Sequence, residues 1–147
     1  MALDTVLLAV RPGDEGHGSR LAQTLIDIAE AAQARPQVGL VFTDEQYRAT
    51  VTSLGVDDLE DVRTSELAGR HGTFGTVFER LEAAGLDFDV RLGTGPHGET
   101  IVDMAADADH AVVGGPKRSP TGKAVFGSTV QTVLFDAPCP VTYVRRE

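Results

Sequence analysis

One cysteine, no tryptophan and two lysines in 147 residues set the first limits on this chain. The lone thiol, Cys139, cannot close an internal disulfide, and between two prolines in an apolar stretch it reads as a packing residue rather than a reactive nucleophile. No window approaches the roughly eighteen consecutive apolar residues of a membrane span. Residues 1–10 have neither a basic start nor a long apolar run, so no secretion signal is expected and a cytoplasmic location follows. Aromatics make up only 5% and apolar residues 41%, the profile of one globular domain spanning 1–147, with no membrane partner.

Basic residues are also scarce. Thirteen Lys plus Arg face 22 Asp plus Glu, for a net charge of −9. A chain this acidic repels a duplex, and nucleic acid is therefore excluded as a general partner. Eleven of the basic residues are Arg, and the acids are thirteen Asp and nine Glu. Surplus carboxylate with almost no lysine suits a proteome adapted to high salt, where screening relieves self-repulsion; the alternative is an ordinary acidic protein.

Both lysines fall in one place. From His110 to Phe135 there is no Asp or Glu, and Lys117, Arg118 and Lys123 give that stretch +3 in a chain of −9. An anion is expected there, because anion-binding loops of α/β folds lie between a strand and a helix, where backbone N–H groups and the helix dipole reinforce side-chain charge.

The apolar run over 5–10 suits a strand covered on both faces, and the turn residues of 11–18 end it. A helix is expected from Ser19, with Leu21, Leu25, Ile28, Ala29 and Ala32 on one face and Pro36 forbidding its continuation. Further strands are expected over 38–42, 88–92, 111–113 and from Val141 to Val144, with helices over 99–108 and 128–136. Strands alternating with helices imply parallel βαβ units and an open, doubly wound α/β sheet with helices on both faces. Between 43 and 86 the pattern is weaker. Thr64 is a plausible helix cap, Leu67, His71, Phe74, Phe78 and Leu81 share a face, and Gly69, Gly72 and Gly75 predict a break or a close helix contact. Gly85 reads as the cap that ends this helix.

Several motifs fail on inspection. Gly93-Thr-Gly-Pro-His-Gly98 is a literal G-x-G-x-x-G, but it follows a late strand, Pro96 removes a donor from the cradle, and the strand ending near Val113 lacks a terminal acid, so it reads as a turn. Gly122-Lys123 lacks the first glycine and the Ser or Thr of a Walker loop. His17, His71, His97 and His110 have no metal-ligand spacing and read as surface or satisfied histidines. Ser128 lacks a nucleophile elbow. The stretch from Val113-Gly114-Gly115 through Gly127-Ser128-Thr129 remains: its glycines let backbone approach phosphates, and Ser128 with Gln131 makes a capping pair at a helix start.

This stretch resembles the signature of the universal stress protein family, G-2x-G-9x-G-[ST] followed by a helix: Gly114, position 117, Gly127 and Ser128 keep the spacing, and Ala137-Pro-Cys-Pro-Val141 resembles the link into the family's last strand. The similarity spans essentially the whole chain, and Gly-Gly-Pro-Lys-Arg-Ser-Pro-Thr-Gly-Lys is similar to the version of haloarchaeal members. The resemblance implies a Rossmann-like fold of the adenine nucleotide alpha hydrolase type, with five parallel strands in order 3-2-1-4-5. It also implies a homodimer made by pairing last strands. In nucleotide-binding members ATP lies across the ends of the first and fourth strands. Carried over, Val10 and Arg11 border adenine and ribose and Phe42 contacts the base. Val113 and Gly114 pass beneath the nucleoside, and Gly127, Ser128 and Thr129 donate to phosphates. The chain departs at Arg11, where the family has Asp, and at Lys117, where it has its second glycine; Lys117 and Arg118 offer charge-assisted bonds instead.

The expected function is that of a dimeric stress-response module binding ATP or another adenine nucleotide. No acidic magnesium ligand lies near the loop and no base to position water, which argues against more than slow hydrolysis. The alternatives are a nucleotide-independent interaction module, with Lys117 filling the phosphate space, and an adenylating enzyme of a related α/β superfamily. A response regulator would need an acidic cluster at the strand ends, which is missing.

Overall fold

A computed structural model describes residues 3–14, 16–57, 72–115 and 127–145. Five strands, β1 (Thr5–Val10), β2 (Arg35–Phe42), β3 (Asp89–Thr94), β4 (His110–Gly115) and β5 (Val141–Arg145), form one parallel sheet in order β3-β2-β1-β4-β5. Among the described residues the helices are α1 (Gly18–Ala32), α2 (Asp44–Leu54), α3 (Gly72–Ala83), α4 (His97–Ala105) and α5 (Ser128–Asp136).

The central strand is apolar on both faces because both are covered. Val6, Leu8 and Val10 join Leu21, Leu25, Phe74, Phe78 and Leu81 on the α1–α3 side; Leu7 and Ala9 join Ile101, Met104 and Val133 on the α4–α5 side. Complete burial of each such aliphatic side chain is worth about 1.5–3 kcal/mol.

The long α1 ends earlier than Pro36 requires. Gln33 adopts a left-handed conformation (φ 52°), its N–H and that of Ala34 bond back to Glu30 and Ala29, and Pro36 is already inside β2, opposite Val6. Pro36 is tolerated because the β2–β3 ladder begins only at Gln37. Ile26, not Ile28, is the fully packed isoleucine of α1. The helix expected over 99–108 instead runs from His97 to Ala105, β2, β4 and β5 extend one to three residues beyond the expected bounds, and β3 begins one residue later and ends two later than expected.

Helix α2 was not expected at all. Its face is polar enough to bury no residue fully, but a capping box starts it: the Thr43 hydroxyl accepts from Gln46 N–H, and Gln46 Oε1 accepts from Thr43 N–H. Tyr47, Val51 and Leu54 rest partly buried against the core. In α3, Phe74, Phe78 and Leu81 pack as expected against α1; there is no break at Gly75, and Gly85 (φ 72°) closes the helix with Leu86 N–H bonded to Leu81 O. Gly69, Thr64, Leu67 and His71 lie outside the described residues.

Glycines in the sheet make room for α4. A Cβ on Gly39 would lie 2.9 Å from Met104 Sδ, and one on Gly93 would lie 2.6 Å from Met104 Cε. Gly95 turns the chain at φ 135° and donates to Phe42 O, while Gly98 abuts Thr132 of α5. The literal G-x-G-x-x-G is thus a packing and turn element. Cys139 lies half-buried near the same core, its thiol pKa pushed up by burial and by Asp109.

Asp109 closes the opposite end of the sheet. Its Oδ2 accepts from the N–H groups of Asp4 (2.9 Å) and Thr5 (3.0 Å), which holds the carboxyl below its ordinary pKa. A depressed carboxyl contributes stability that is present above its unfolded pKa and lost as pH falls through the folded value. Asp109→Asn is therefore expected to lower the melting temperature at neutral pH by an amount that shrinks on acidification; a gap independent of pH would show that the carboxylate charge contributes nothing.

Candidate functional site

Strands β1 and β4 part at one level. Their pairing ends at Ala9↔Val113, whereas β1 stays paired with β2 to Val10↔Leu40 and β4 with β5 to Gly115↔Arg145. From β1 the chain turns to one face of the sheet through α1, and from β4 to the other through α5. The split is the point where winding reverses, the place where open α/β sheets bind ligands.

Arg11 spans this split. Its Nη2 donates to Gly114 O at 2.7 Å and lies 3.9 Å from Asp14 Oδ1. A tight turn holds it there: Arg11 N–H donates to Asp14 Oδ2, and Asp14 N–H donates to Arg11 O. With the two side chains 16% and 8% exposed, the guanidinium is a paired, partly sunken charge.

Side chains of the protein take up the glycines of β4. A Cβ on Gly114 would meet His17 Cδ2 at 2.9 Å and Leu21 at 3.0 Å, and one on Gly115 would stand 2.1 Å from the Tyr143 ring. His17 is buried and its Nε2 donates to Val144 O, which ties the start of α1 to β5. Packing alone thus demands glycine at both positions. Val10 and Phe42 are fully buried and Val113 nearly so; the Phe42 ring packs edge-on against Tyr47 and Phe74, and its carbonyl accepts from Gly95.

At α5, Ser128 is not the cap. Gly127 holds that position in an extended conformation (φ −67°, ψ 163°), among the described residues no side chain caps the helix, and Ser128 is its first residue rather than the capping partner of Gln131. Among the described residues nothing therefore accepts from the first turn's N–H groups, the donors that a helix start leaves over. Ser128 O accepts from Thr132 Oγ1, and Thr129 shares the first turn. Lys117, Arg118 and Lys123 lie outside the described residues.

His97, which by its spacing from the other histidines is unremarkable in the sequence, has a specific partner in the structure. Its Nε2 lies 2.7 Å from Gln46 Oε1, which bridges the starts of α4 and α2. Its pKa is lowered by burial and by Arg11, and Asp14 opposes the shift. The ring is thus tied by Gln46 to the end of β2 and lies within electrostatic reach of Arg11 and Asp14. A T-x-x-Q cap after one strand and Pro-His after another carried the signal. His110 is satisfied by Thr142 Oγ1. Among the described residues no group of three or more His, Cys, Asp or Glu could hold a metal.

The fit of Tyr143 over Gly115 is testable. Gly115→Ala is expected to cost about 1–3 kcal/mol in denaturant unfolding, and Tyr143→Ala to absorb most of that cost in a double-mutant cycle; strict additivity would refute the contact.

The sequence model of the universal stress protein family matches residues 3–145. A curated universal stress protein of Mycolicibacterium smegmatis is 33% identical over 79 residues, a match covering 52% of this chain and 61% of that protein's length. Universal stress protein UspA from Lactobacillus plantarum superposes with a TM-score of 0.64 at 22% identity, covering 99% of both chains. The universal stress protein from Archaeoglobus fulgidus, solved in complex with dAMP, does so with a TM-score of 0.62 at 18% identity, over 97% of this chain and 98% of that one. The structural likenesses show the fold, with its parallel 3-2-1-4-5 sheet, and the family match over nearly the whole chain shows the membership: this chain belongs to the universal stress protein family.

Proposed function

We propose that the chain binds ATP or another adenine nucleotide across the ends of β1 and β4 and acts as a small cytoplasmic stress-response module. The observation that carries this reading is the start of α5, uncapped among the described residues, which follows the strand β4 that parts from β1. A helix start with free N–H groups favours a phosphate through both hydrogen bonds and dipole. In this reading Gly127, Ser128 and Thr129 face the phosphates, Val113 and Gly114 underlie the nucleoside, and Val10, Arg11 and Phe42 border the base end. The dAMP held by the Archaeoglobus fulgidus relative supports a nucleotide of this class. The open edge of β5, from Val141 to Val144, pairs with a second copy to form a homodimer, and the acidic surface is that of a haloarchaeal-type protein adapted to salt.

One observation favours a nucleotide-independent interaction module: the Arg11 guanidinium already occupies the split through its bond to Gly114 O.

Calorimetric titration of ATP in molar KCl separates the two. Gly127 has a backbone conformation open to any residue, and among the described residues nothing lies within 4 Å of a Cβ placed there, so Gly127→Val is expected to fold. Saturable binding weakened at least about tenfold by Gly127→Val supports the nucleotide reading. No heat from the wild type, with binding gained in Arg11→Ala, supports the module. The salt adaptation predicts a melting temperature that rises from dilute to molar KCl, and a flat response contradicts it.

A further inference from the structure

The hydrogen bonds around Gln46 fix the tautomer of His97. Gln46 Oε1 accepts from Thr43 N–H at 2.9 Å, so the oxygen of the amide, not its nitrogen, is the atom 2.7 Å from His97 Nε2. A carbonyl oxygen cannot donate, and Nε2 must carry the proton. In the neutral ring Nδ1 is then a bare acceptor, and among the described residues nothing donates to it. The ring is tied to the carboxyl end of β2, where Gln46 caps α2 at Thr43 and Gly95 N–H bonds Phe42 O. Among the described residues, the charged groups that act on it are Arg11 and Asp14 of the turn after β1. Helix α2 faces it with the neutral Gln46 amide, and α5 meets the adjoining Gly98 with neutral Thr132.

We propose that His97 is a specificity-determining residue of this site: held by Gln46 through its Nε2 proton, it offers Nδ1 to a hydrogen-bond donor on the ligand and thereby selects a 6-amino purine over a 6-keto purine. The inference rests on the nucleotide reading above and deepens it. An amino group donates to Nδ1, whereas a keto oxygen opposes one lone pair with another. Burial and Arg11 hold the ring neutral at pH 7, in the form that accepts. Protonation converts Nδ1 into a donor and reverses the preference.

The test compares ATP with inosine triphosphate, which differ only in the 6-amino against the 6-keto group and in the N1 proton that accompanies the keto form, by titration of the full chain. At neutral pH ATP is expected to bind about three- to tenfold tighter, the range for one neutral hydrogen bond. The ratio is expected to fall as pH is lowered from about 8 towards about 5, and to approach one in His97→Phe. Gln46→Glu retains the acceptor and the helix cap but sets a carboxylate against Nε2, which raises the imidazole pKa, so the ratio is expected to fall already at neutral pH. A merely structural role for His97 would move both affinities together and leave the ratio unchanged. Equal binding of the two nucleotides by the wild type at every pH overturns the inference and leaves the nucleotide reading standing. Failure of both to bind overturns the two together.

Discussion

The structure depends on a central strand that is apolar on both faces. Because Val6, Leu8 and Val10 must be covered on one side and Leu7 and Ala9 on the other, helices are required on both faces of the sheet. The chain meets that demand by winding outward from β1 through α1 to β2, and from β4 through α5 to β5. The two connections leave toward opposite faces of the sheet, and β1 and β4 separate after Ala9 and Val113. The crevice is a by-product of covering the core.

Polar groups at that crevice are held by the fold rather than by a ligand. Asp14 and His17 are the buried polar residues among those described, and both serve the split: one closes the turn under Arg11, the other ties α1 to β5. Glycines complete the fit where a side chain must lie on the backbone, Met104 over Gly39 and Gly93, His17 on Gly114 and Tyr143 on Gly115. The same residue type thus shapes both the core and the rim of the site. The exposed flank is different in character: Phe135 is 83% exposed at the end of α5, the outer helix beside edge strand β5.

Much of this was legible in the sequence, for physical reasons. A continuous apolar run such as 5–10 has few alternatives to a doubly covered strand, and strands alternating with helical patterns leave little freedom of architecture. What escaped reading was set by local hydrogen bonds. Helix α1 ends at Gln33, whose left-handed backbone no propensity announces, rather than at Pro36. Helix α2 depends on the reciprocal Thr43–Gln46 cap more than on any apolar face. At α5 the residue suited to capping, Ser128, became the first helical residue, and Gly127 left the helix start open. His97 joined the cluster only because α2 and α4 begin side by side, a tertiary fact that its spacing from other histidines could not reveal.

Binding of a nucleotide at the split between β1 and β4 is the proposal on which the functional reading stands. Amide chemical-shift mapping of the labelled chain during an ATP titration tests it most directly. The account predicts saturable shifts concentrated at Val10, Arg11, Val113, Gly114 and the first turn of α5, with the far rim around Asp109 unmoved. Shifts centred on the β5 edge or on Phe135, with residues at the split unmoved, would contradict it.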